Sequence, residues 1–151
     1  MILTTHALVG AAIGKNIGNP WIIIPVSLAV HYALDVIPHG EYLGKNSTVK
    51  NTWWKVALDL LAGLLVVIFY IIIKKVDAAE IKNIAFGVFF SLFPDFLTLL
   101  YWKVHFTFLK KVYAFHEWVH ELISQKDLPW KLQNARNDIL VSLLAIIFLF
   151  L

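Results

Sequence analysis

Residues 53–75, WWKVALDLLAGLLVVIFYIIIKK, decide the fold class of this chain. From Trp53 to Ile73 only Lys55 and Asp59 interrupt an otherwise apolar run, and Lys74 and Lys75 close it. About 20 such residues are what an α-helix needs to cross a hydrocarbon core of about 30 Å. The tryptophan pair at one end and the lysine pair at the other mark two membrane boundaries.

Other segments repeat the pattern more weakly. Residues 3–14, LTTHALVGAAIG, predict a short helix capped by Thr4 or Thr5, with Ala7, Gly10, Ala11 and Gly14 allowing close packing. It is too short for a full crossing. A second helix is expected from Trp21 to Val36 and a polar loop from Gly40 to Thr52. A fourth apolar helix, Ile84 to Trp102, is interrupted by Pro94. Residues 103–136 turn amphipathic, as a helix lying at an interface does. Asn137 or Asp138 is placed to cap a last apolar run, ILVSLLAIIFLFL.

The expected architecture is therefore all-α: one domain over residues 1–151, a multi-pass helical membrane bundle of four to five apolar helices plus one amphipathic interfacial helix. Composition agrees, with 60% hydrophobic residues and a mean hydropathy of +0.73, far above the globular norm. The bland alternative is a soluble bundle with a greasy core. A net charge of +3, spread through loops beside apolar segments, points to lipid headgroups as partner and away from nucleic acid. No cysteine is present, so any metal must be held by imidazole and carboxylate. No cleavable signal is evident, and the oligomeric state stays open.

Alternating crossings turn these segments into a test. If the second helix ends on side A, residues 40–52 and 103–137 also lie there, with nine lysines and arginines against four on side B. Trp53, Trp54, Trp102, Trp118 and Trp130 fall near side A, which the positive-inside rule makes cytoplasmic. His31, Asp59 and Asp95 then sit at one depth, roughly 9 to 11 Å along their helices from that boundary.

Ionisable groups in a bilayer are costly, at least about 2.5 kcal/mol for a carboxylate at the helix centre, and so are rare unless paired or functional. HYALDVIPHGEY, residues 31–42, places His31 and Asp35 one turn apart on one helix face, with His39 just beyond Pro38. His6 would reach side A from the first helix. HEWVH, residues 116–120, is a second i, i+4 histidine pair, and it matches the zincin pattern in which two imidazoles bind zinc and a glutamate polarises water. Each group has a plainer reading: a His31–Asp35 hydrogen bond, an Asp59–Lys55 pair, an Asp95 helix cap after Pro94, solvated Glu117 and Glu121, and an interfacial His105.

The set THALVG, HxxLD followed by P-H-G, S-L-F-P-D-F and HxxxH resembles the YdjM-like family of membrane-bound metal-dependent hydrolases, remotely similar to zinc-dependent phospholipase C. The resemblance touches His6, His31, Asp35, Pro94, Asp95, His116 and His120, scattered over most of the chain. It departs where the family's HRxxTH reads HEWVH and where HxxLD precedes the PD element. It implies a metal-dependent hydrolase.

The expected metal ligands are His6, His31, Asp35, His39, Asp59, Asp95, His116 and His120. So many ligands suit one or two zinc ions. Glu117 and Glu41 are candidates for general base or acid, and a phospholipid headgroup linkage is the expected substrate. Two further readings compete: an intramembrane zincin-like protease using HEWVH, and a non-enzymatic metal carrier or membrane scaffold.

Overall fold

The computed structural model describes residues 1–40, 42, 49–104, 106–122, 128 and 131–151. Six helices and no strand occur among them: α1 (Leu3–Asn16), α2 (Pro20–Asp35), α3 (Val49–Lys74), α4 (Ala78–Val104), α5 (Thr107–Glu121) and α6 (Arg136–Phe150). The all-α expectation holds. Two helices, over Asn51–Lys74 and Ala78–Lys103, are long and apolar enough to cross a membrane. They turn Leu58, Leu61, Leu65, Ile72 and Phe89 outward. Helix α2 is apolar but shorter.

The short α1 is the hub, packing against α2, α3, α4 and α6. Its small residues make this possible. A Cβ added to Gly10 would lie 2.4 Å from the Gly87 carbonyl oxygen, and one added to Gly14 would lie 2.3 Å from that of Asn83. Backbone therefore meets backbone along the α1–α4 seam. Gly63 of α3 faces Ala7 and Thr4 in the same manner. Ala7, Leu8, Ala11, Val67, Ile84 and Leu149 fill the core around these contacts.

Contacts along the chain fix the helix directions. Ile2 meets Asp138 while Asn16 meets Phe148, so α6 runs with α1. Asp59 lies by Leu3 and Gly63 by Ala7, so α3 does too. Helix α4 runs the opposite way, pairing Gly10 with Gly87 and Gly14 with Asn83. In α2 and the turn before it, Gly18 meets Asn83 and His31 meets Ser91, so α2 follows α4.

Helix α3 starts at Val49, inside the stretch expected as a loop, and α6 starts at Arg136 with Ala135 as N-cap, so neither Asn137 nor Asp138 caps it. Three further boundary expectations are corrected. Helix α4 begins at Ala78, because Asp77 caps it through Oδ1 on the Glu80 amide at 2.8 Å. It also runs unbroken through Pro94. A proline inside an apolar helix removes one ladder bond, that to the Phe90 carbonyl, without ending the helix when neighbours hold both sides. The third correction concerns α1: its N-cap is Ile2, which offers no acceptor side chain, and both Thr4 and Thr5 lie inside the helix. The amphipathic segment is helical over Thr107–Glu121.

Candidate metal centre

The polar residues of α2 lie on one stripe, Ser27, His31 and Asp35, spaced i, i+4, i+8 and fully buried. At its end Asp35 becomes the hub of the site. Its Oδ2 lies 3.0 Å from His31 Nε2 and 3.0 Å from His116 Nε2, with His120 Nε2 at 3.4 Å. Its Oδ1 accepts from the Met1 amine and lies 3.0 Å from His6 Nε2.

The hydrogen bonds behind the imidazoles set their tautomers. His31 Nδ1 lies 2.7 Å from the Ser91 carbonyl oxygen. A carbonyl only accepts, so Nδ1 carries the proton, and neutral His31 presents a lone pair at Nε2. His39 repeats the device, with Nδ1 donating to the Ile37 carbonyl at 2.7 Å and Nε2 turned to the Met1 amine at 2.9 Å. His116 Nδ1 pairs with the Thr98 hydroxyl at 2.7 Å. These are the outer partners that metal-ligating histidines ordinarily have.

Distances inside the cluster match coordination. His31 Nε2 and His116 Nε2 are 3.4 Å apart, which with Asp35 Oδ2 makes a triangle of 3.0, 3.0 and 3.4 Å. Bonds of 2.0–2.2 Å to a tetrahedral ion place neighbouring ligand atoms about 3.3–3.6 Å apart. Asp95 Oδ1 adds a fourth corner, 3.7 Å from His116 Nε2, and Asp95 Oδ2 is buried with no hydrogen-bond partner. One ligand atom from each of His31, Asp35, Asp95 and His116 lies within 4.8 Å of the others, and Asp35, His39 and His120 form a second such group. A buried cluster able to hold a metal ion is thus present, and its donors are imidazole and carboxylate throughout.

Of the expected ligands, His31, Asp35, His39, Asp95, His116 and His120 fall in these two groups. His6 touches Asp35 Oδ1 and stacks on His31 with ring centroids 4.3 Å apart, so it buttresses the cluster from α1. Asp59 is used elsewhere. Its Oδ2 accepts from the Leu3 amide at 2.7 Å and its Oδ1 from the Thr4 amide at 3.1 Å, capping α1 from α3. Tyr42 donates to the same carboxylate at 2.7 Å. Burial, reinforced by Asp59, pushes the Tyr42 hydroxyl above its ordinary value and keeps it a donor. Glu117 lines the adjoining cavity beside His116 and His120. Glu41, His105 and Trp130 lie outside the described residues.

Residues that sequence reasoning passed over complete the picture. His31 is oriented by the main-chain carbonyl of Ser91, a contact no side-chain pattern announces, whereas the Thr98 hydroxyl that orients His116 shares a face of α4 with Asp95, and a polar residue three positions beyond an aspartate in an apolar helix was the available signal. Asp138, expected as a cap of the last helix, instead accepts from the Ile2 amide at 3.0 Å, so the start of α1 is held from α6 as well as α3. The loop carrying His39 is tied to the start of α6, with the Gly40 amide donating to the Asn134 carbonyl at 3.1 Å and the Asn137 side chain to that of Pro38 at 2.7 Å.

Comparison of the chain with protein-family models, with curated proteins and with solved structures finds no match.

Proposed function

We propose that this protein is a membrane-embedded, metal-dependent hydrolase of phosphoesters, its substrate a lipid headgroup linkage. The observation that carries the reading is the 3.0 Å approach of His31 Nε2 to Asp35 Oδ2, with the His31 Nδ1 proton committed to Ser91. In the neutral form of His31 two lone pairs face one another there, and His116 Nε2 brings a third group to the same oxygen at 3.0 Å. A divalent cation converts that repulsion into bonds. Zinc suits a donor set of imidazoles and carboxylates with open positions.

His31, Asp35, Asp95 and His116 would hold one ion, and His39 and His120, sharing Asp35, a second. Such ions supply hydroxide near neutral pH and polarise a phosphoryl oxygen. The protein's own groups do the rest. Ser91 and Thr98 hold two imidazoles in orientation. Glu117 is assigned as general base. The water oxygen bonds to phosphorus, the phosphorus–oxygen bond to the alcohol breaks, and the proton taken by Glu117 leaves with that alcohol.

In this reading α3 and α4 span the bilayer, and α1, α2 and α6 complete a multi-pass bundle. The cluster then lies towards the face richer in lysine and arginine, the cytoplasmic one. The residues of the YdjM-like resemblance, among them His6, His31, Asp35, Asp95, His116 and His120, are those that meet around Asp35, which supports a shared chemistry.

The test is hydrolysis by purified protein stripped with chelator and reloaded with zinc or manganese. Release of headgroup from phospholipid vesicles, or of nitrophenol from a bis(nitrophenyl) phosphate, should require metal and fall at least a hundredfold in Asp35→Asn. No metal-dependent release from either substrate would overturn the proposal. The zincin-like reading has one observation in its favour, since His116 and His120 both reach Asp35 Oδ2 at 3.0 and 3.4 Å. It requires metal-dependent cleavage of a peptide that Glu117→Gln abolishes.

A further inference from the structure

Helices α3 and α4 both lean on α1 but do not pack extensively on each other. Between them lies a cavity of about 720 Å³. Its walls are apolar along most of their length, with Leu64, Ile68 and Ile71 from α3 facing Ile84, Val88 and Leu92 from α4. The α3 residues follow at i, i+4 and i+7, one continuous stripe. Polar lining gathers at a single end, where His39, Asp95, Thr98, His116, Glu117 and His120 meet the cavity. The groove reaches the cluster through His39, Asp95, His116 and His120, with Asp35 and His31 buried behind them.

From this geometry we infer that the groove holds one hydrocarbon chain of a lipid phosphoester whose phosphate sits at the His/Asp cluster. The inference rests on the hydrolase reading and adds where the substrate's chain is held. Length, polarity and access agree. Asp95 to Ile81 spans about 21 Å of α4, somewhat more than the thickness of one leaflet's hydrocarbon, about 15 Å, and enough for an extended acyl chain. A cavity of several hundred Å³ suits a ligand of this size. An anionic phosphate at the mouth would meet metal and imidazole, while the tail would meet only carbon. The outward flanks of α3 and α4 carry Leu65, Phe69 and Phe89 towards the surroundings, so a chain enters sideways from lipid without crossing water.

The experiment is photolabelling of the full chain in detergent micelles with hexadecyl phosphate carrying a mid-chain diazirine, the labelled residues being mapped by mass spectrometry and metal content measured on the same samples. Label should concentrate on Leu64, Ile68, Val88 and Leu92. It should fall at least tenfold in Ile68→Trp, which fills the groove from a half-exposed position that tolerates size, and again in Leu64→Trp. Metal content should stay at the wild-type value in both. Label spread evenly over outward residues such as Leu58 and Ile72, or indifferent to both substitutions, would overturn the inference, as would cross-links placing a second copy's helix in the groove. Groove labelling of wild-type protein that takes up no metal would instead remove the hydrolase reading and leave the chain-binding groove standing.

Discussion

Asp35 and Asp59 are both carboxylates on apolar helices, and their partners assign them different work. Asp35 faces three imidazole nitrogens through one oxygen, all within 3.4 Å. Asp59 faces two backbone amides and a phenol. Asparagine keeps the shape of either side chain and removes the charge. Asp35→Asn is therefore expected to abolish metal binding, as measured by equilibrium dialysis. Asp59→Asn should leave metal stoichiometry unchanged and lower stability by about 1–3 kcal/mol in a denaturant titration, the worth of charge-assisted bonds to otherwise unpaired amides. Loss of metal in Asp59→Asn would contradict this division. The sequence makes both residues legible as unusual, since each interrupts an apolar run, and it places them at comparable depth. It does not reveal rotation about the helix axis, and Asp59 is turned to the start of α1 because Ile2 has no acceptor of its own to cap that helix.

At the scale of elements, the seam between α1 and α4 positions the site. Gly87 lets the two backbones touch, for a Cβ there would lie 2.0 Å from the Gly10 carbonyl oxygen. That contact holds α4 so that Ser91 reaches His31 and Asp95 enters the cluster. Gly87→Val should destabilise the protein by at least about 1–3 kcal/mol, the range for overpacking, and weaken metal affinity as α4 is displaced. Gly18→Ala is the control, because nothing lies within 4 Å of its added Cβ. Equal behaviour of the two variants would mean that the seam is not what aligns the ligands. The small residues of α1 made tight packing legible in the sequence. The partner surface was not, because Gly87 is a lone glycine among phenylalanines, and helix pairing depends on long-range geometry that local pattern does not encode. The start of α4 was missed for a local reason: Asp77 reads as a loop residue until its bond to the Glu80 amide is seen.

Across the whole molecule, the helix directions bring chemistry from α2, α4 and α5 to one end of α1, with His6 of α1 itself against Asp35. Alternation of helix direction was readable from the apolar segments and their charged turns, and so was the convergence of His31, Asp35, Asp95 and the HEWVH histidines. The outer partners of the imidazoles and the α3–α4 groove were not, since both depend on how helices lean on a fourth. The central claim is that a cation holds these groups together. X-ray absorption on zinc-loaded protein, with metal quantified in the same sample, tests it most directly. At least about one equivalent of zinc with nitrogen and oxygen neighbours at 2.0–2.2 Å, including two or more imidazoles, is the predicted result. Less than about half an equivalent after loading, or a shell without imidazole, would contradict the account.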